Sequence, residues 1–175
     1  LGMINAGQTK EAGDYIQKML DDSIGTATGE VSHTGNIVVD SLVNYKYGLA
    51  LKDGIQFEAR VFIPSVLPFQ GGHLAIILGN LLENALEACR KLPQERRYII
   101  LEATYTKEML QICIKNSSPE ESKKDSSGRY LTTKEDTGWH GIGLASVEQA
   151  LADYDGELFT QHEDGEFRAS AVLYG

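Results

Sequence analysis

Four side chains that can bind metal ions or move protons recur at helical spacing in residues 73–91, HLAIILGNLLENALEACRK. Asn80, Glu83, Asn84 and Glu87 follow the pattern i, i+3, i+4, i+7, which predicts two amides and two carboxylates on one helix face. Asparagine is a poor helix former because its amide competes for backbone hydrogen bonds. A reason for two of them is that an amide oxygen is a hard, uncharged ligand suited to phosphate-bound Mg²⁺. The alternative is an ordinary solvated helix surface.

A pair of glycines near the end of the chain offers a second kind of chemistry. Gly141 and Gly143 open a helical pattern in TGWHGIGLASVEQAL. Glycines at a helix start let backbone N–H groups approach phosphate oxygens, and the helix dipole adds a favourable potential there. Between the two helices, the strand LQICIKNSSP ends at Asn116, whose amide carbonyl could accept a hydrogen bond. Alternatively, Asn116 to Pro119 only terminates the strand.

The elements that must position these groups are helices mixed with antiparallel hairpins. Apolar periodicity predicts helices over 9–20, from Asn36 or Asp40 to about Lys52, over His73–Lys91, and from about Gly141 to Asp153. Alternation predicts strands over 56–63, Tyr98–Tyr105, Met109–Ile114, Glu157–Gln161 and Phe167–Leu173. This order predicts an α+β fold, a two-layer α/β sandwich whose mixed, mostly antiparallel sheet has helices on one face. Residues 9–20 form a short N-terminal helical extension, and the Ser-, Thr- and Gly-rich residues 22–35 are a loop or linker.

Length and charge limit the classes of function. A chain of 175 residues is long enough for one domain with a short extension. The net charge of -9 disfavours broad binding to nucleic acids or anionic membranes. No stretch approaches about 18 consecutive apolar residues, which predicts a soluble segment without direct membrane contact. The two cysteines, Cys89 in a helix pattern and Cys113 in a strand pattern, are predicted to be buried thiols of a reducing compartment.

The polar helix face carries a family resemblance. Its core, NLLENALEA, resembles the N-box of the ATPase superfamily that groups DNA gyrase, the Hsp90 chaperones, histidine kinases and MutL. The resemblance implies a Bergerat-type ATP-binding fold in which Asn84 holds Mg²⁺ and Asn80 lies near the phosphates of ATP. Gyrase-like hydrolases place a glutamate at the first box position to activate water. Asn80 at that position therefore favours the kinase branch.

Two further segments extend the resemblance. HGIGL resembles the second glycine box of these ATPases, although Trp139 stands where the first glycine would be. NSSP replaces the Asp-x-Gly-x-Gly turn, which leaves Asn116 as the adenine contact. The polar residues from Asn116 to Gly138 then correspond to a lid, with Lys123, Lys124 and Arg129 as candidate phosphate contacts. The residues that the resemblance assigns to nucleotide binding in the second glycine box are His140, Gly141, Ile142, Gly143 and Leu144.

The branch that the chain resembles most is the Agr-type, peptide-sensing receptor kinases. The matching segments are TGNIVVDSLVNYKYGLALKDGI, NSSP and HGIGLASV. The resemblance implies a cytoplasmic part of a membrane-anchored quorum-sensing receptor that dimerises through upstream helices. It transfers phosphate from ATP to a histidine and thence to the receiver domain of a response regulator. Residues 1–32 would be the end of the dimerisation hairpin and a linker, and residues 33–175 the catalytic domain.

The phosphate-accepting histidine is expected outside this sequence. The HDxxNH-like motif of the branch is absent, and His33 lacks the acidic neighbour that accepting helices supply. We therefore expect residues 1–175 to bind ATP and Mg²⁺ but not to phosphorylate themselves. Two alternatives remain. One is a degenerate nucleotide-binding interaction module, which would explain NSSP, and the other is a gyrase- or MutL-like ATP hydrolase with Glu83 as its base.

Overall fold

The computed structural model describes residues 29–119 and 140–175, and within them the predicted sequence of elements is confirmed. The predicted helix over 9–20 and residues 120–139 of the proposed lid lie outside the described residues. A short 3₁₀ turn, Gln94–Arg96, joins the second helix to the second strand. The helices are α1 Ile37–Lys52, α2 Gly71–Arg90 and α3 His140–Ala152, and the strands are β1 Gln56–Phe62, β2 Tyr98–Thr106, β3 Met109–Ser117, β4 Glu157–Glu163 and β5 Glu166–Tyr174.

The five strands form one mixed sheet in the order β1-β2-β3-β5-β4. β1 and β2 run parallel because α2 carries the chain back between them, whereas the other neighbouring pairs are antiparallel. The register pairs Leu101 with Ile114, and Ile114 with Ala169, so the buried residues of adjacent strands share one face. The α+β sandwich with a mostly antiparallel sheet is therefore confirmed.

All three helices pack on that apolar face of the sheet, and α2 lies at the centre of the layer. It contacts α1 on one side, α3 on the other, and strands β2, β3 and β5 beneath. Ten of its twenty residues are buried, whereas Ala88 is half-buried; the buried ones include Leu74, Ile77, Leu78, Leu81 and Ala85, which repeat at helical spacing. The opposite face of the sheet carries charged groups, such as Arg60, whose Nη1 lies 3.1 Å from Oε1 of Glu102.

The helix α1 begins and ends as its sequence predicts. The side chain of Asn36 accepts a hydrogen bond from the backbone N–H of Val39 at 3.1 Å, which satisfies one of the donors left unpaired at a helix start. At the other end the chain passes through Asp53 and Gly54, and Gly54 has a φ of +65°, which glycine adopts without steric cost. Asn36, rather than Asp40, is thus the N-cap.

Asp40 instead holds residues 32–35 against α1 through hydrogen bonds. Its carboxylate accepts hydrogen bonds from the hydroxyls of Ser32 and Thr34, at 2.7 and 2.9 Å, and from two backbone N–H groups in residues 31–35. One turn later, the side-chain oxygen of Asn44 accepts two more backbone hydrogen bonds from the same segment. We call residues 31–35 together with Asp40 and Asn44 the N-terminal clasp. It fixes the direction in which the chain enters the domain.

One expectation about this segment is wrong. His33 does have an acidic neighbour, because its Nδ1 lies 3.3 Å from Oε2 of Glu30. The two side chains are both about two-thirds exposed, and the backbone around His33 is not helical.

No helix within residues 29–119 and 140–175 is long and apolar enough to cross a membrane.

The clasp predicts how stability depends on pH. Burial acts to raise the pKa of the Asp40 carboxyl, but the hydrogen bonds donated by Thr34, Ser32 and Gly35 outweigh it and lower the pKa. A lowered pKa contributes stability that is present above the unfolded-state pKa of about 4 and is lost as pH falls through the folded-state pKa. We expect Asp40→Asn to lower the free energy of unfolding at pH 7 by about 1 kcal/mol, since solvent competes at this partly buried group.

Urea unfolding at a series of pH values measures this effect. The difference between wild type and Asp40→Asn should shrink as the pH falls below about 4, where the wild-type carboxylate protonates. Asp164→Asn, in the exposed turn between β4 and β5, is the matched control and should change stability little at any pH. A pH-independent difference for Asp40→Asn would contradict the role of the ionised clasp.

Candidate functional site

The two asparagines of α2 lie beside the first turns of α3. The amide nitrogen of Asn80 donates to the carbonyl of Ile76 at 2.8 Å, which fixes the orientation of its amide group. A Cβ built on Gly143 would lie 3.1 Å from Oδ1 of Asn80 and 3.8 Å from Oδ1 of Asn84. The side-chain oxygens of both asparagines therefore approach the same point of the α3 backbone. A glycine at this point leaves room for them.

The start of α3 supplies hydrogen-bond donors next to these oxygens. His140, Gly141 and Ile142 are its first three residues and Gly143 is its fourth, so the helix begins one residue earlier than predicted. The first four N–H groups of a helix have no partner within it, and the dipole makes this end electropositive. Leu144, which follows, is half-buried and packs against the core. The side-chain oxygens of Asn80 and Asn84 therefore lie near the backbone N–H groups at the start of α3.

Glu83 extends towards α1, whereas the two asparagines on the same side of the helix approach α3. Its carboxylate forms an ion pair with the ammonium group of Lys46 in α1. Successive residues of a helix differ by about 100° in direction, so Glu83 and Asn84 reach different neighbours. The predicted polar side of α2 therefore divides between two neighbours, and Glu83 is engaged on the α1 side of it.

A second basic residue completes this ion-pair group. Arg90 lies near the end of α2, with its Nη1 3.5 Å from Oε1 of Glu83. Its Nε donates to Oδ2 of Asp53 at 2.8 Å, directly after α1 ends. Lys46, Glu83, Arg90 and Asp53 therefore link α1 to α2, and we call them the α1–α2 ion-pair group.

Sequence reasoning missed Lys46, although the sequence contains a signal for it. Lys46 is only 1% exposed, and it follows the helical spacing of Val39, Leu42 and Val43, which are buried in α1. A lysine on the core-facing positions of an amphipathic helix cannot reach water easily and needs a buried or half-buried acid. Searching for that acid would have pointed to the neighbouring helix.

The end of β3 is buried more deeply than a simple strand end would be. Asn116, Ser117 and Ser118 are 2%, 4% and 6% exposed. Asn116 lies on the helix-covered side of the sheet, in alternation with Ile112 and Ile114, and its Nδ2 donates to the carbonyl of Ser117 at 2.9 Å. Asn116 therefore lies between the sheet and the helices. A residue that only ended the strand at the surface would be exposed to solvent.

Cys89 joins the end of α2 to the same strand end. Its Sγ lies 3.4 Å from Oγ of Ser117 and 3.3 Å from the carbonyl oxygen of Tyr98. Burial raises the pKa of the Cys89 thiol, and the hydrogen bonds with Ser117 and Tyr98 offset this only in part. Cys89 is thus a protonated packing residue, as predicted. Cys113 is half-buried on the opposite face of the sheet, so its predicted full burial is wrong.

A family comparison agrees with this arrangement. The sequence model of the GHKL domain matches residues 72–173, which is more than half of the chain. The chain belongs to the GHKL family. The matched region contains α2, β3 and α3, and therefore every residue of the candidate site. No curated protein sequence matches the chain.

Solved structures show which fold this GHKL domain shares. The catalytic domain of histidine kinase ThkA superposes with a TM-score of 0.61 at 17% identity, over 84% of this chain and 97% of that one. The mycobacterial sensor histidine kinase MprB gives 0.60 at 20% identity, over 79% and 92%. The histidine kinase domain of the Erythrobacter litoralis EL346 blue-light-activated kinase gives 0.59 at 13%, over 96% and 73%. The chain is thus a GHKL ATP-binding domain with the fold of sensor histidine kinase catalytic domains.

The residues present fit a magnesium-bound nucleotide. Two neutral amide oxygens, on Asn80 and Asn84, adjoin a helix start whose N–H groups favour phosphate. Within the described ranges, no three His, Cys, Asp or Glu side chains cluster as metal ligands. Asn84 is the candidate ligand for Mg²⁺, and the oxygen of Asn80 approaches the same point of α3.

The close approach at Gly143 generates a prediction. Replacing a helical glycine by alanine usually stabilises a protein by up to about 1 kcal/mol. At Gly143 the new Cβ would press on Oδ1 of Asn80, so we expect Gly143→Ala to gain less stability and to weaken ATP binding. Gly72→Ala is the matched control, since a Cβ on this residue of α2 meets nothing within 4 Å.

Urea unfolding and titration calorimetry measure the two effects. Gly72→Ala should raise stability without changing the affinity for an ATP analogue. If Gly143→Ala behaved like Gly72→Ala in both measurements, the contact between α2 and α3 would not matter for the site.

Proposed function

We propose that this GHKL domain is the catalytic domain of a two-component sensor histidine kinase. It binds ATP with Mg²⁺ and presents the terminal phosphate to a histidine outside residues 1–175, from which the phosphate passes to a response regulator. The observation that carries the proposal is the approach of the Asn80 and Asn84 oxygens to Gly143 at the start of α3. The asparagine side chains and the N–H groups at the start of α3 would then bind the triphosphate of the same ATP molecule.

Each residue of the site has a proposed role in this arrangement. Asn84 would bind Mg²⁺, and Asn80 would lie next to the phosphates. Bound Mg²⁺ would neutralise phosphate charge during transfer. The backbone N–H groups of His140, Gly141, Ile142 and Gly143 would hold the phosphate oxygens, with Leu144 packing beside the nucleotide.

Asn116 is the proposed adenine contact. Its amide nitrogen already donates to the carbonyl of Ser117, so its oxygen is the atom proposed to accept the adenine amino group. An uncharged acceptor binds this group less strongly than a carboxylate would. A buried amide of fixed orientation supports adenine recognition in spite of the missing Asp-x-Gly-x-Gly turn.

The distribution of acids supports transfer to a histidine over hydrolysis. Efficient hydrolysis needs a carboxylate that activates a water molecule beside the terminal phosphate. Asn80 stands where gyrase-like hydrolases have this glutamate, and Glu83 is engaged by Lys46 on the α1 side of α2. An imidazole is a better nucleophile than water, and the acidic neighbour of the accepting histidine would come from its own helix rather than from α2.

The wider assignment rests on the sequence resemblance. We propose an Agr-type quorum-sensing kinase that is cytoplasmic, dimerises through helices upstream, and phosphorylates the receiver domain of a response regulator. Residues 1–32 would belong to the dimerisation hairpin and linker, and residues 33–175 to the catalytic domain. The net charge of -9 supports the absence of a nucleic-acid partner.

Calorimetry with a non-hydrolysable ATP analogue, with and without Mg²⁺, tests the assignment of Asn84. We expect Mg²⁺ to increase the affinity of the wild type, and Asn84→Ala to remove that increase, at least about tenfold, because a metal ligand is lost. Affinity without Mg²⁺ should change little. Asn44→Ala, which alters an asparagine of α1 in the clasp, is the matched control and should keep the magnesium effect.

Turnover distinguishes the alternatives. Incubated with labelled ATP, residues 1–175 should incorporate no phosphate and release little, whereas a protein that includes the upstream accepting helix should become labelled on histidine. Rapid phosphate release would favour the hydrolase, and nucleotide binding without turnover in the longer protein would favour a degenerate interaction module. Absence of nucleotide binding would refute the proposed function.

A further inference from the structure

Lys46 is the only buried lysine among the described residues. Its ion-pair partner, Glu83, connects it to the candidate site. Its side chain is 2% exposed, whereas that of its partner Glu83 is 40% exposed. A buried ammonium is strongly destabilising without an anion, so the position of Glu83 relative to α1 is fixed by a large desolvation cost. Glu83 directly precedes Asn84, the proposed magnesium ligand.

Within the ion-pair group, Lys46 constrains α2 through Glu83 more than Arg90 does. Arg90 is 39% exposed, and its contact with Glu83 is long, at 3.5 Å. Exposed ion pairs of this kind contribute little, because water screens them and long side chains lose entropy. Of the two ion pairs that Glu83 forms, the one with Lys46 therefore restrains α2 more at the level of Asn84.

Rotation of α2 matters because its side chains move together. Side-chain tips lie roughly 6 Å from the helix axis, so a rotation of about 10° moves them by roughly 1 Å. The Asn80 oxygen lies close to the α3 backbone, since a Cβ added to Gly143 would be 3.1 Å from it. Displacements of about 1 Å are enough to disturb ligand and phosphate geometry severely.

We propose that Lys46 is a positioning residue of the nucleotide site, acting through Glu83. The ion pair between buried Lys46 and half-buried Glu83 acts together with core packing to set the rotation of α2 about its axis, and this rotation places the Asn80 and Asn84 oxygens beside the start of α3. Lys46 itself touches neither nucleotide nor metal. The inference rests on the proposed function for its effect on Mg²⁺, but the placement of the amides can be tested without any nucleotide.

The first experiment follows the side-chain amide resonances of Asn80 and Asn84 by NMR in the nucleotide-free protein. Lys46→Met removes the charge and keeps the length of the side chain, and it should shift both resonances. Lys46→Arg keeps the charge and should restore them towards wild type. Arg60→Met is the matched control, because it breaks ion pairs with Glu58 and Glu102 on the opposite face of the sheet.

A purely structural role of Lys46 would lower stability without moving these resonances in the folded protein. Wild-type resonances in folded Lys46→Met would therefore overturn the proposal. If Lys46→Met does not fold, Glu83→Gln replaces it. Glu83→Gln keeps the side-chain shape at a half-buried position but breaks the ion pair, and unchanged Asn84 resonances there would overturn the proposal equally.

The second experiment compares the affinity for an ATP analogue with and without Mg²⁺. We expect the increase produced by Mg²⁺ to fall about tenfold in Lys46→Met and in Glu83→Gln, and to persist in Arg60→Met. Because Lys46 acts through Glu83, the double variant should lose no more than either single variant. Additive losses would overturn this route of action. A wild type that binds no nucleotide would refute the proposed function, while the NMR experiment would still decide the position of the amides.

Discussion

The burial of α2 constrains the rest of this domain. Half of the helix packs on the sheet and on its two neighbours, so its polar groups lie on the remaining half, which includes the seams with α1 and α3. A polar side chain in such a seam needs a partner there, because desolvation is costly. Glu83 meets Lys46 at one seam, and Asn80 meets the glycine backbone of α3 at the other. One helix thus anchors itself on one side and presents ligand atoms on the other.

The helix α1 contributes to the site although it supplies no ligand to it. It carries Asp40 and Asn44, which hold the incoming chain, and Lys46, which holds Glu83. These residues lie within two turns of one rigid helix. The direction of the chain at the clasp and the partner that holds Glu83 are therefore both defined relative to the same element.

Sequence reasoning reached the fold because periodicity follows burial. The apolar spacing in α1 and α2, the alternation in the strands, and the Asn36 cap are local signals that the tertiary structure obeys. It failed where the outcome depended on a neighbouring element. The spacing of Asn80, Glu83 and Asn84 defines a helix side but not which seam each residue faces. Lys46 was missed because lysines are usually exposed. Cys113 alternates correctly within β3, but none of the three described helices covers its face of the sheet.

The placement of acids around α2 bears on the choice between kinase and hydrolase more directly than the family resemblance does. A superfamily fold hosts both reactions, so the fold alone does not decide between them. Hydrolysis would require a carboxylate on the α3 side of α2, near the N–H groups that favour phosphate. Among the described residues, the α2 side chain nearest to Gly143 is an amide, Asn80, and Glu83 pairs with Lys46 on the α1 side. Reversing this preference would require both a carboxylate at Asn80 and room beside Gly143 for an ordered water molecule, because a base activates water only within hydrogen-bonding reach.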